Sequence, residues 1–270
     1  MPWVDLRDML NHAYRNHYAV GSLSVTSLDC IETVVAVAER IRSPVVLSLA
    51  DNIPGQNDFE LLATAAECAA QRAAVPVALH FERNNTLESA VQAINRGCNG
   101  VQIAAAHESF TANVAHTRRL AEMAHACGVM VEGVLGRNGS EADDPASTQA
   151  GEASYTTVEE ARAFVQRTQV DCLMVSVGTG TGRVRGRLKL DIERLRRIND
   201  ALRLPLAMRA DNGFADEQCH KLLQHGIARV SFVNLHHATE ASLASAKTRG
   251  SYSALRSEWR TAMQVEVEHC

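Results

Sequence analysis

The stretch Val75-Pro-Val-Ala-Leu-His-Phe-Glu-Arg-Asn-Asn85 contains the two features from which the rest of the chain can be interpreted. Its first half, residues 75–79, is a short apolar run with an early proline, which favours a buried parallel strand over a helix. Its second half is polar and charged, and it leads to Thr86, which we predict to be the N-cap of a helix. In barrels of alternating strands and helices, chemistry occurs where strands end. We therefore expect a catalytic edge at residues 80–85.

The same alternation continues along the chain. Apolar runs predict strands at residues 19–25, 45–49, 76–80, 100–104, 129–135, 172–177, 205–209 and 230–233. Amphipathic segments predict helices at residues 31–42, 59–73, 87–97, 112–127, 158–168, 192–201, 216–225 and 238–248, with one more at 252–268. An open doubly wound sheet would also alternate, but eight near-equal units favour closure, which removes the sheet edges. We predict an α/β fold, a (β/α)8 TIM barrel, as a single domain over residues 1–270 with an extra C-terminal helix.

Composition excludes several classes of function. The 270 residues are 46% hydrophobic with a net charge of −4, which gives no electrostatic reason to expect a nucleic-acid or membrane partner. No apolar run reaches membrane-spanning length, and the first residues lack a signal-peptide pattern, so we expect a cytoplasmic protein. The seven cysteines are scattered without a CxxC pair, which favours buried thiols over disulfides or a structural zinc site.

Two segments interrupt the alternation, residues 136–155 and residues 178–189, the latter reading GTGTGRVRGRLK. Long glycine-rich loops are often functional. The second segment directly follows a buried strand, which favours contact with an anion over a flexible surface turn. It matches neither the P-loop nor the Rossmann fingerprint.

Several blocks resemble the class II, metal-dependent ketose-bisphosphate aldolases, which split fructose or tagatose bisphosphate. Residues 18–21 (YAVG) resemble the family's YAVGAFN, and residues 79–83 (LHFER) stand where LHLDH is expected. Residues 131–137 (VEGVLGR) resemble VEAELGR, residues 177–182 (VGTGTG) resemble IGTAHG, and residues 189–191 (KLD) resemble part of PKLDF. The resemblance spans nearly the whole chain and implies a barrel that forms a homodimer or a larger homo-oligomer.

The resemblance also implies that the family's zinc site has been lost. The family binds zinc through three histidines at strand ends, and these positions correspond to Arg83, Thr181 and Arg209. Arginine cannot deprotonate to become a ligand, and a threonine hydroxyl is a poor one. A catalytic zinc ion needs about three protein ligands. We therefore predict no metal and no cofactor.

A substitute metal site is a further alternative, because other possible ligands remain in the chain. They are Glu82, His107, Glu132 and Asp211. No two of them have ligand spacing on one element, which disfavours such a site. His80 is predicted to be a core histidine rather than a ligand.

The residues that correspond to the family's chemistry give the predicted site. The proton-exchanging aspartate of the family corresponds to Glu82, so a carboxylate for acid–base work is retained. Arg83 and Arg209 would supply two cations where zinc stood, and arginine can stabilise an enediolate or bind a carboxylate or phosphate. We predict these three residues to be catalytic. The predicted substrate-binding residues are His107, Gly178, Thr181, Gly182, Asp211, Asn212, Ser231 and Asn234.

Two functions of different classes follow. The first is a divergent, metal-independent lyase or isomerase-type enzyme that transfers a proton next to a carbonyl in a small anionic, sugar-like substrate, phosphorylated or carboxylated. The alternative is a catalytically inactive, aldolase-like binding or regulatory subunit. A raised pKa of Glu82 beside a free arginine would favour the enzyme. A closed Glu82–Arg83 or Asp211–Arg209 pair would favour the alternative.

Overall fold

Eight parallel strands follow one another around a closed barrel in chain order, and the last strand pairs with the first. The computed structural model describes residues 3–50, 58–84, 86–103, 108–136, 155–178, 190–210, 216–232 and 251–269, with only the backbone at 83, 84, 216, 252 and 269. The strands are β1 (Val20–Ser24), β2 (Val45–Ala50), β3 (Val77–Asn84), β4 (Gly100–Ile103), β5 (Met130–Val134), β6 (Cys172–Met174), β7 (Leu206–Ala210) and β8 (Ile227–Phe232). This architecture confirms the predicted (β/α)8 barrel.

Helices on the outside connect the strands. Within the described residues they are α1 (Leu6–Arg15), α2 (Leu28–Ile41), α3 (Phe59–Arg72), α4 (Leu87–Asn95), α5 (Phe110–Ala126), α6 (Val158–Thr168), α7 (Ile192–Leu202), α8 (Asp216–Gln224) and α9 (Tyr252–His269). Thr86 caps α4 as predicted, since its side chain accepts a hydrogen bond from the Ser89 amide. The helix predicted at residues 238–248 lies outside the described residues. Nothing among these helices has the length and apolar character that a bilayer crossing requires.

The helix α1 was not predicted. Asp5 caps it, and its buried residues Leu6, Met9, Leu10 and Ala13 have the spacing of one helical face. This face packs with apolar side chains inside the barrel, such as Val20, Val46, Ala78 and Met130, and we call this set the inner core. The first residues of the chain therefore close the N-terminal end of the barrel.

The C-terminal helix α9 packs on α2 of its own barrel. Arg256 binds Asp29 at 2.6 Å, and Arg260 binds Glu32 at 3.0 Å. Met263 is buried beneath these surface ion pairs, with 0% of its surface exposed. The extra helix thus completes the outer layer of helices.

Strand pairing has two irregularities among the described residues. Between Phe81 and Asn84, β3 contains one more residue than its partner segment on β4. On β8, Ala228 is extra, because Leu206 pairs with Ile227 while Ala207 pairs with Arg229. The strand predicted at 76–80 was too short at its C-terminal end, and the strand predicted at 230–233 was too short at its N-terminal end. Bulges of this kind redirect side chains and are frequent near active sites.

Candidate active site

A layer of charged and hydroxyl side chains lies inside the barrel, nearer the carboxyl ends of the strands than most of the inner core. We call it the polar layer, and every member is at most 6% exposed. Its members are Ser22 on β1, Ser48 on β2, His80 and Glu82 on β3, Glu132 on β5, Arg209 on β7, and Arg229 and Ser231 on β8. Transferring charges from water into such a place is unfavourable unless they are paired and hydrogen-bonded. The contacts of each charge therefore decide what the layer can do.

Arg229 joins two carboxylates across the barrel. Its Nη1 donates to both oxygens of Glu132, at 2.7 and 2.6 Å. Its Nη2 donates to Oε1 of Glu82 and, at 2.9 Å, to Oγ of Ser22. The arginine has no exposed surface, so both ion pairs are fully removed from water. Close opposite charges and the hydrogen bonds of both terminal nitrogens offset the desolvation of these ions, while Nε of Arg229 is buried without a hydrogen-bond partner among the described residues.

Glu82 is held as an ionised carboxylate. Its Oε1 accepts hydrogen bonds from Arg229, from Ser48 at 2.8 Å and from Ser231 at 3.1 Å. Burial by itself would raise the pKa of Glu82, but the charges of Arg229, His80 and Arg209 lower that pKa well below its ordinary value of 4.5. The carboxylate is therefore deprotonated at neutral pH, the form that can accept a proton.

Arg209 lies beside Ser231 in the strand register and is 6% exposed. Ser231 in turn donates to Glu82 at 3.1 Å, and the positive charge of Arg209 is one of the causes that lower the pKa of Glu82. Arg209 corresponds to the third zinc ligand of the aldolases that the sequence resembles. A guanidinium group has no lone pair for a metal, so this side chain does not fit zinc. No step of the chemistry is therefore assigned to a metal.

The substitute metal site is not supported where the structure describes its residues. Glu82 and Glu132 are joined through Arg229 and so already have a cationic partner. Among the described residues, no three histidine, cysteine or acidic side chains form a group that could hold a metal ion. The other two proposed ligands, His107 and Asp211, lie outside that part of the chain.

The structure brings together three of the predicted site residues, Glu82, Arg209 and Ser231. Gly178 follows β6 and is buried with a φ of 102°, a conformation that favours glycine. The side chain of Arg83 is not described. The remaining predictions, which fall outside the described residues, are His107, Thr181, Gly182, Asp211, Asn212 and Asn234.

His80 is a core histidine, as predicted. Its side chain is fully buried, and its Nδ1 lies 3.2 Å from Nη2 of Arg229. A side-chain carbon on Gly100 would collide with Leu6 and approach Cδ2 of His80 to 2.9 Å. The glycine therefore makes room for the imidazole above the inner core.

Sequence reasoning missed Arg229 and the two serines on β1 and β2. The available signal was an arginine inside the otherwise apolar run Ile227–Phe232. Regular alternation would place Ala228 and Arg229 on opposite faces of the sheet. Because Ala228 is a bulge residue, it belongs to the inner core while Arg229 also points into the barrel.

Three cysteines are buried thiols, as expected for several of the seven, whereas Cys68 and Cys127 are exposed. Burial raises the pKa of Cys30 and of Cys98 to about 12. Burial and the neighbouring Glu132 raise the pKa of Cys172 well above its ordinary value. These thiols stay protonated at neutral pH, so they are poor nucleophiles.

Comparison with known proteins adds an independent line of evidence. Residues 4–270 match the family model described as fructose-bisphosphate aldolase class-II. The chain is 31% identical over 250 residues to the probable fructose-bisphosphate aldolase of Bacillus subtilis (strain 168), covering 92% of this chain and 85% of that protein. It is 31% identical over 235 residues to the fructose-bisphosphate aldolase of Geobacillus stearothermophilus, covering 86% and 80%. The structure of the YdjI aldolase from Escherichia coli K12 superposes with a TM-score of 0.86 at 26% identity, covering 98% of this chain and 94% of that chain.

Proposed function

The chain belongs to the class II fructose-bisphosphate aldolase family and is an aldolase-like lyase, and on that premise we propose that it is a metal-independent enzyme of lyase or isomerase type. The proposed reaction is proton transfer next to a carbonyl group. The proposed substrate is a small anionic, sugar-like compound that carries a phosphate or a carboxylate.

The observation that supports this proposal is the ionised carboxylate of Glu82 beside the cationic Arg209. A deprotonated Glu82 is in the form required to take a proton from the carbon next to the carbonyl. The electron pair of the broken C–H bond forms a C=C bond, and the carbonyl π pair moves onto the oxygen; where the adjacent carbon carries a hydroxyl group, the product is an enediolate. A guanidinium group stabilises such an oxyanion in a site with little water. Return of the proton from Glu82 to the former carbonyl carbon, with transfer of the hydroxyl proton to the enediolate oxygen, would complete an isomerisation.

Metal independence follows from the residue at the third zinc position. The zinc of class II aldolases polarises the carbonyl group, and Arg209 stands where one of its ligands is expected. An arginine can offer charge and hydrogen bonds, but it cannot ligate a metal. We therefore expect negligible cleavage of fructose bisphosphate or tagatose bisphosphate.

A catalytically inactive binding or regulatory barrel is the second candidate, and one observation favours it. Glu82 is in a closed ion pair, and its partner among the described side chains is Arg229. The pKa of Glu82 is lowered, whereas a carboxylate that serves as a catalytic acid or base usually has a raised pKa. In this account the polar layer is purely structural and the barrel binds an anion without converting it.

A binding screen followed by turnover measurements separates the two candidates. A panel of sugar phosphates and sugar acids is tested by thermal shift, since a ligand of the native state raises the melting temperature. Arg209→Met should weaken binding of the anion found by about 1.5–3 kcal/mol, the value of hydrogen bonds to a charged group. Glu82→Gln should retain binding and abolish turnover, because the amide keeps the shape and loses the titratable oxygen.

The control for these variants is Glu159→Gln, which removes an exposed carboxylate on α6 and should change neither binding nor turnover. Chelators should leave turnover unchanged. Binding without turnover in the unmodified protein would favour the inactive barrel. Chelator-sensitive turnover, or full activity in Glu82→Gln, would contradict the proposed mechanism. The predicted homodimer stays a prediction.

A further inference from the structure

We infer that Arg229 is the positioning residue of the candidate base, and that it binds Glu82 through Oε1 so that Oε2 is the oxygen that accepts the proton. The inference rests on the proposed role of Glu82. It adds a residue that acts through the carboxylate rather than on the substrate.

The first argument is the asymmetry of the carboxylate. Among the described residues, all hydrogen bonds to Glu82 end at Oε1, from Arg229, Ser48 and Ser231. An oxygen with three donors has its lone pairs occupied and is a poor site for a proton. The other oxygen of the same carboxylate is the better acceptor.

The second argument is the direction of the hydroxyl protons, because a serine carries only one. Ser48 donates its proton to Glu82. Ser22, whose Oγ lies 2.6 Å from that of Ser48, must therefore donate to Ser48. The oxygen of Ser22 accepts from Arg229 at 2.9 Å. Arg229 thus reaches the same carboxylate oxygen twice, once directly and once through two serines.

The third argument comes from His80. Its Nδ1 lies 3.2 Å from Nη2 of Arg229 and 3.7 Å from Oε1 of Glu82, so the imidazole is on the same side of the carboxylate as the arginine. Nη2 carries two protons, and these go to Glu82 and Ser22, so the contact with Nη2 does not fix the tautomer of His80. His80 therefore adds to the crowding at Oε1 and leaves Oε2 as the more open oxygen. The charged and titratable groups that face Glu82 are Arg229, Arg209 and His80.

The fork of the guanidinium group is what makes Arg229 suited to positioning. Its Nη1 is held by both oxygens of Glu132, which fixes the plane in which Nη2 meets Glu82. A lysine would keep the positive charge but has a single nitrogen without this planar geometry. Arg229→Lys therefore tests positioning more directly than a variant that removes the positive charge.

The test observes the resting protein by NMR and needs no substrate. Side-chain carboxyl carbons of glutamate are isotopically labelled, and the Glu82 signal is assigned with Glu82→Gln. In Arg229→Met, Glu82 should bind protons about tenfold more tightly or more, the lower end of the effect of an adjacent opposite charge on a carboxylate. In Arg229→Lys the change should be smaller but in the same direction, because the charge is kept and the planar donor geometry is lost. Arg256→Lys, at a surface arginine paired with Asp29, is the matched control and should leave Glu82 unchanged.

A Glu82 titration that Arg229→Lys leaves unchanged would overturn the inference. If Arg229→Lys does not fold, Ser48→Ala replaces it, because it removes one donor to Oε1 and should raise the proton affinity of Glu82 by a smaller factor. An unchanged titration there would equally count against the inference. Turnover that survives Glu82→Gln would instead refute the proposed function while leaving these NMR results intact.

Discussion

The two halves of the barrel interior come from the same eight strands, yet their chemistry is opposite. The inner core beside α1 contains apolar side chains such as Val20, Val46 and Met130. The polar layer above it contains two carboxylates held by one buried arginine. Apolar burial stabilises by about 25 cal/mol per Å² without directional requirements. A buried ion pair has a large desolvation cost and depends on every partner being present. The first half therefore explains the stability of the fold, and the second half is where function has to be sought.

The largest expected effect is that of removing the central cation. Arg229→Met leaves Glu82 and Glu132 buried without their partner, and breaking a buried pair in this way costs about 3–5 kcal/mol. The comparison in the inner core is Met130→Ala, which should cost about 2–5 kcal/mol through lost burial and a cavity. Urea unfolding at pH 7 measures both values.

The two variants differ most clearly in how they can be rescued. Adding Glu132→Gln to Arg229→Met should restore part of the lost stability, because one uncompensated charge is removed. No change of charge should rescue Met130→Ala. An Arg229→Met protein as stable as the unmodified one would remove the distinction between the two halves.

The next effect is the pH dependence of stability. The pKa of Glu82 is lower in the folded protein than its ordinary value of 4.5. This carboxylate therefore contributes stability that is fully present above about pH 4.5 and is lost as the pH falls toward the folded-state pKa. Between pH 7 and pH 4, the urea midpoint should fall more in the unmodified protein than in Glu82→Gln. An equal fall of the midpoint in both proteins would show that stability is not coupled to the protonation of Glu82.

The smallest effect is expected outside the barrel, where the same ion-pair chemistry is exposed to water. Arg256→Gln removes the pair between α9 and Asp29 on α2, whose side chains are 44% and 23% exposed. Exposed pairs contribute about 0–1 kcal/mol and are screened by salt. Thermal unfolding at low and high salt measures this difference. A loss as large as that of Arg229→Met would mean that burial does not set the strength of these pairs.

The fold could be predicted from sequence because its signals are local and repeated. Apolar runs and amphipathic segments placed the strands and most helices within a few residues, and α6 at Val158–Thr168 matches its prediction. The helix that was not predicted is α1, a short amphipathic helix before the first strand. Its signal was the spacing of Leu6, Met9, Leu10 and Ala13 after Asp5.

The site could be predicted only in part, because its geometry depends on pairing between strands distant in sequence. Glu82 was predicted from the end of its strand and from the family resemblance; Ser231 donates to it, and Arg209 lies beside Ser231 in the strand register. Arg229 was missed because the bulge at Ala228 breaks the alternation that assigns faces. Glu132 and Arg229 are 97 residues apart, and no local pattern indicates that they meet.

The helix α1 closes the N-terminal end of the barrel interior. Leu6 and Leu10 fill its N-terminal opening and are 0% and 1% exposed. An apolar base of this kind lowers the local dielectric beneath Arg229, so the ion pairs of Arg229 are stronger there than they would be in water. The electrostatics of the polar layer are thus shaped by a helix at the other end of the barrel.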